Sequence, residues 1–146
     1  MRVQNASRSQ DVPSPARFRA WVRAAAAGPL EITVRLVGSG EARRLNFAYR
    51  GKDHATNVLA FEYGPAPRSS APAIRLRGDI VLCPAVVARE ARDQGKALAA
   101  HYAHLTVHAV LHLRGYDHAR PANAARMERA EIRVLKRLGK PNPYVI

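Results

Sequence analysis

Residues 108 to 118 read His-Ala-Val-Leu-His-Leu-Arg-Gly-Tyr-Asp-His, and no other run constrains the fold as strongly. His108 and His112 are four apart, so on a helix their rings leave one face a turn apart. Gly115 admits a positive φ and ends the helix by turning the chain. That turn swings His118 back toward the same point. Three imidazoles converging in this way leave one position of a tetrahedral zinc ion open, as catalytic sites do. A closed thiolate site is excluded because Cys83 is the single cysteine. His108, His112 and His118 are therefore the expected ligands of one Zn(2+) per chain.

The intervals match the metzincin metalloprotease pattern H-E-x-x-H-x-x-G-x-x-H. Where those proteases carry the glutamate that deprotonates water, this chain has Ala109. Alanine is no general base, so the helix carries the metal ligands without the proteolytic residue. His101 and His104 extend the same face upstream, too far to share the ion, and are expected at the surface or behind the ligands. Asp117 either orients a ligand ring or caps the turn.

The rest of the chain reads as four strands early and long helices late. Arg2–Ala6 is a short strand, and Ala16–Ala27 a helix stopped by Gly28-Pro29. Leu30–Val37 alternates Ile32, Val34 and Leu36 with Glu31, Thr33 and Arg35, a strand buried on one face. A short helix starts near Ser39 and Glu41 and is broken at Gly51; Thr56–Tyr63 and Arg77–Cys83 are further strands. Gly64–Ala73 is a Pro/Ser loop. Helices follow over Ala85–Gln94, Leu98–Leu113 and Asn123–Leu138. At 146 residues this is one domain, residues 1–146, of α+β class: a small mixed four-stranded sheet packed by helices, with a zincin-like metal helix.

Charge speaks to partners. Lys and Arg number 24 against 11 acids, a net +13, and lysine occurs only at 52, 96, 136 and 140. Arginine forks suit phosphate oxygens, so a polyanionic partner is expected. Arg43, Arg44, Arg68, Arg75, Arg77 and Arg114 are candidates for tracking a backbone. Tyr49, Tyr63 and Tyr116 are candidates for stacking single-stranded bases, although Tyr116 more simply packs beside the metal turn. Arg35 and the Arg126, Arg129, Arg133 and Arg137 series read as solvated faces. No apolar stretch is long enough to span a membrane, and residues 1–18 have no apolar leader. With one cysteine, a cytoplasmic location is expected.

HAVLHLRGYDH resembles the H-G-x-L-H-L-x-G-Y-D-H signature of the YbeY endoribonuclease family. Leu45–Phe61, LNFAYRGKDHATNVLAF, is similar to that family's L-N-x-x-Y-R-G-K-D-x-P-T-[DN]-V-L-S-F. Gly78-Asp79-Ile80-Val81 matches its G-D-I-V strand, and GKPNPYVI resembles the Pro-Tyr tail of some members. The resemblance implies a zincin-like fold, zinc on the three histidines, and cleavage of single-stranded RNA. It also implies work on ribosomal RNA precursors of the small (16S) subunit and in ribosome quality control. Its arginine falls on Arg50, catalytic together with His112; Arg50, Lys52, Arg77 and Arg114 are the expected RNA contacts. Asp79 falls on a position expected to meet ribosome-assembly proteins. Ala109 replaces the family's usual Gly, His54-Ala55 a usual Lys-Pro, and Ala60 a Ser; none of these removes a ligand.

Two other classes fit parts of this sequence. A zinc hydrolase of metalloprotease type accounts for the metal alone. A non-catalytic ribosome-assembly factor with a structural zinc accounts for metal and charge, but needs a fourth ligand to close the shell. For the nuclease, Arg50 on a glycine-adjacent loop would clamp the scissile phosphate. Either water or the RNA 2′-OH is the nucleophile, and the sequence does not choose.

Overall fold

The computed structural model describes residues 1–63 and 76–145. The expected loop at 64–73, with Arg68 and Arg75, lies outside them, as does Ile146. The elements run β1 (Arg2–Asn5), α1 (Pro15–Ala25), β2 (Leu30–Leu36), α2 (Ser39–Arg50), β3 (Val58–Glu62), β4 (Leu76–Leu82), α3 (Pro84–Gln94), α4 (Leu98–Leu113) and α5 (Pro121–Arg137). The strands form one sheet in the order β1-β2-β4-β3. β1, β2 and β4 are parallel, and β3 is antiparallel to β4 at the edge. The architecture is the α+β arrangement expected, although β1-α1-β2 is itself a parallel crossover.

Helix boundaries follow local chemistry. Ser14 Oγ accepts a hydrogen bond from the Arg17 amide at 3.3 Å, and Pro15 opens α1 where no amide hydrogen is needed. α3 and α5 also begin at prolines, Pro84 and Pro121. α2 ends where the glycine places the break: Arg50 is its last residue, and Gly51 caps it at φ +69°.

The sheet has two different faces. Ile32, Val34, Leu36, Ile80 and Leu82 point into the main core with Phe18, Trp21 and Val22 of α1 and Tyr102, Val107 and Leu111 of α4. Phe18 meets Trp21 and Tyr102 edge-on, with centroids 5.4 and 6.0 Å apart. On the opposite face Ala42 and Leu45 of α2 cover a smaller cluster of Val37, Leu59, Val81 and Cys83. α2 covers only part of that face, and the uncovered remainder becomes one wall of the site.

Gly78 explains the glycine of the Gly-Asp-Ile-Val strand. A Cβ built there would lie 2.5 Å from the Phe61 carbonyl oxygen and 2.9 Å from a Leu113 methyl. The missing side chain lets β3, β4 and the end of α4 close on one another. Gly78→Ala forces that contact apart. Overpacking of this kind costs about 1–3 kcal/mol, so the thermal midpoint should fall by roughly 2–10 °C for a chain of this size. A thermal melt unchanged from wild type would contradict the close approach.

Candidate active site

α4 is buried on nearly every side, with Tyr102, Ala103, Val107, Val110 and Leu111 fully enclosed. Only at its C-terminal end does one face open to solvent, and His108 and His112 stand there. Gly115 adopts φ +99° and carries the turn, and its amide bonds to the His112 carbonyl at 3.0 Å. The Tyr116 amide bonds to the Leu111 carbonyl at 3.1 Å, folding the chain back over the helix end. His118 then faces His108, with ring centroids 5.6 Å apart. Asp117 caps this turn, accepting from the Ala119 amide at 3.1 Å.

These rings form the floor of a cleft of about 790 Å³. Its walls are Tyr49 and Arg50 from the end of α2, Val58–Tyr63 from β3, and Asp79 and Val81 from β4, with Arg35 of β2 behind. Ala109 lies in the floor, 1% exposed, so no carboxylate occupies the place where a protease would hold one. Burial, then the neighbouring charges of His108, His118 and Arg50, hold the His112 pKa below the ordinary imidazole value, with Asp117 opposing. The shift favours the neutral imidazole, which is the form that ligates a metal.

The donor set suits such an ion. Metal–nitrogen bonds of about 2.0–2.1 Å in tetrahedral geometry put ligand rings roughly 5 Å apart, close to the His108–His118 separation. The His108 Nδ1 is engaged by Glu131 at 2.6 Å, which leaves Nε2 as its free lone pair. Among the described residues no three His, Cys, Asp or Glu side chains are already drawn to ligand distances. The three histidines line one cleft, with His108 and His118 side by side in it, and form no closed shell.

Glu131 is the residue that sequence reasoning missed. It is 1% exposed on α5 and accepts hydrogen bonds from His104 Nε2 at 3.1 Å, from His108 Nδ1 and from the Tyr144 hydroxyl. Burial would raise its carboxyl pKa; those three donors outweigh it and hold the pKa down at about 2. A buried acid on an otherwise apolar helix stripe, facing a run of histidines, was the available signal. His104 lies next to His108, ring centroids 6.3 Å apart, and shares Glu131 with it. His101 is not at the surface: it is 4% exposed and bonded to Glu90 at 2.9 Å, on the side of α4 toward α3.

The expected RNA contacts separate. Arg50 lines the cleft, but as the last residue of a helix and not on a loop. Lys52 is exposed just beyond it, outside the cleft lining. Arg77 pairs with Glu31 at 3.1 Å and lies over the Tyr63 ring. Arg114 donates to the Ala25 carbonyl at 2.8 Å and covers Tyr116, tying the turn after α4 to α1 away from the cleft. Tyr116 itself packs against the main core. Arg43 is clamped by Asp53 through two hydrogen bonds of 2.6 and 2.9 Å, and Asn46 Nδ2 holds the His54 carbonyl at 2.8 Å; together they fix the loop after Arg50. Asp79 accepts from the Tyr63 hydroxyl, which pushes that phenol pKa up to about 12. Arg35, read from its alternation as a solvated residue, is instead in the cleft and paired with Glu41. Glu62 also reaches the lining.

Replacing Gly115 tests the turn that aims His118. An alanine at φ +99° is strained by about 1–3 kcal/mol, and Gly115→Ala should lower the denaturant midpoint accordingly. An equal or higher midpoint would mean that the turn takes another conformation.

The comparisons with known proteins agree in extent with this geometry. The solution structure of a Thermotoga maritima protein aligns over 100% of both chains with a TM-score of 0.52 at 19% identity, a likeness of fold. An endoribonuclease YbeY from Thiobacillus denitrificans is 56% identical over 142 residues, covering 97% of this chain and 93% of its own. One from Aromatoleum aromaticum is 55% identical, covering 97% and 86%, and one from Nitrosomonas eutropha 49% identical, covering 100% and 99%. The profile of the endoribonuclease YbeY family matches residues 3–139, and with relatives this similar over nearly its full length the chain belongs to that family.

Proposed function

We propose that this protein is a zinc-dependent endoribonuclease specific for single strands, acting in the maturation of small-subunit (16S) ribosomal RNA and in ribosome quality control. The family is one of endoribonucleases, hydrolases acting on RNA. The observation that carries the reading is the meeting of Arg50 with the three histidines across one cleft. An arginine facing three imidazoles suits a phosphodiester better than a peptide, and Ala109 removes the base that peptide hydrolysis would need.

His108, His112 and His118 would hold the ion, which supplies a Lewis acid and an activated water when bound. Arg50 binds the scissile phosphate by two of its N–H groups and offsets the charge that builds up in the transition state. Its position at the end of α2, braced by the Arg43–Asp53 clamp, fixes the direction of approach. Tyr49 is 68% exposed and leans edge-on against Phe61 with centroids 4.8 Å apart, which leaves a ring face for an unstacked base. A cleft of this size takes a single strand with its bases splayed. Duplex RNA has no such bases to offer. Lys52, Arg77 and Arg114 would meet the RNA backbone outside the cleft, and Asp79 would meet ribosome-assembly proteins at its rim. A cytoplasmic location agrees with the absence, among the described residues, of any helix long and apolar enough to cross a membrane.

The test is cleavage of end-labelled single-stranded precursor ribosomal RNA by the zinc-loaded protein, resolved on denaturing gels. His112→Ala should abolish cleavage, and Arg50→Ala should slow it on the order of 100-fold or more. Tyr49→Ala should raise KM with little change in kcat, as loss of a stacking contact does. Faint cleavage equal in all variants would mean contamination and favour a zinc-bearing assembly factor. Cleavage of 2′-deoxy-substituted RNA would exclude the 2′-OH as nucleophile.

A further inference from the structure

Beyond the ligands, one side-chain cluster is built more heavily than packing requires. Glu131 is a charged group in an apolar interior, and burying it is costly unless every oxygen is engaged. Its Oε1 takes the His108 Nδ1 at 2.6 Å, and its Oε2 is shared between His104 Nε2 at 3.1 Å and the Tyr144 hydroxyl. Tyr144 belongs to the segment beyond α5. That segment is fastened to α4's own approach, where Lys96 Nζ donates to the Pro143 carbonyl at 2.8 Å. Asn142 Oδ1 accepts the Tyr144 amide at 2.9 Å and shapes the turn, and the Tyr144 ring stands edge-on to His104 with centroids 5.5 Å apart.

We propose that the Asn142–Tyr144 segment is a strap that sets the metal-binding geometry of His108 by holding Glu131. Tyr144 fixes the carboxylate, the carboxylate holds the proton on His108 Nδ1, and the Nε2 lone pair is thereby kept facing the cleft. Glu131 and Tyr144 are positioning residues, since neither lines the cleft. Because ligand orientation and strap docking share one carboxylate, they are linked: a metal at Nε2 strengthens the docking of the strap, and the docked strap strengthens the metal by the same factor.

This rests on the zinc site proposed above, and the experiment separates the two. Zinc affinity is measured by competition with a chromophoric chelator for wild type, His112→Ala, Glu131→Gln and Tyr144→Phe. The His108 tautomer is read in the zinc-free proteins by long-range proton–nitrogen NMR. Glu131→Gln disturbs a buried group, so Tyr144→Phe, which removes one partly exposed hydroxyl, carries the decision. Wild type should bind one zinc, and Tyr144→Phe should bind it roughly tenfold more weakly, at the lower end of the effect such supporting groups have. The proportion of His108 with its proton on Nδ1 should fall in both variants, and zinc should slow hydrogen exchange over residues 140–145. If wild type binds zinc, His112→Ala loses it, and Tyr144→Phe keeps full affinity with an unchanged tautomer, the strap is overturned and the zinc site stands. If wild type binds no zinc, both are overturned.

Discussion

Everything at this site depends on the burial of α4. A helix enclosed by the sheet on one side and by α1 and α5 on others has no freedom to rotate or slide, because its interior positions are close-packed. Its last turn is therefore held in place by the whole core, and imidazoles on that turn are aimed by the packing of residues far from them. Gly78 lets the edge strand β3 come down against the same helix end, so the cleft wall and the cleft floor share one contact.

The electrostatics complement that rigidity. A charged carboxylate sits behind the histidines, the imidazoles stand in front, and arginines lie across the cleft. Charge thus changes sign over a short distance from the interior to the opening, and an anionic substrate arriving from solvent meets the positive side first. Much of the chain's arginine excess serves other ends. Arg114 braces the turn after α4 and Arg43 braces the loop after Arg50.

The helices and strands were legible in the sequence because each has a period or a stop signal of its own. Gly51, Gly115 and the prolines at 15, 84 and 121 mark ends that the structure keeps to within a residue or two. The three histidines were legible because helical spacing and a glycine turn bring them together locally. Glu131 and Tyr144 were not, since their importance arises only when α5 packs across α4, a contact no local pattern encodes. Arg35 was misread for the same reason: alternation told which face of β2 it occupies but not that α2 leaves that part of the face open.

The order of these parts along the chain has a consequence in time. The cleft walls come from residues 35 to 81, the histidines of its floor from 108 to 118, and the groups bonded behind them from 131 and 144. Synthesis from the amino terminus therefore delivers the walls first, the imidazoles next and their carboxylate last. A nascent chain halted before residue 131 has three histidines and lacks the carboxylate that meets His108 Nδ1 in the finished fold. Such a chain also lacks the part of α5 that encloses α4, so the floor of the cleft is the last part of the site to be completed.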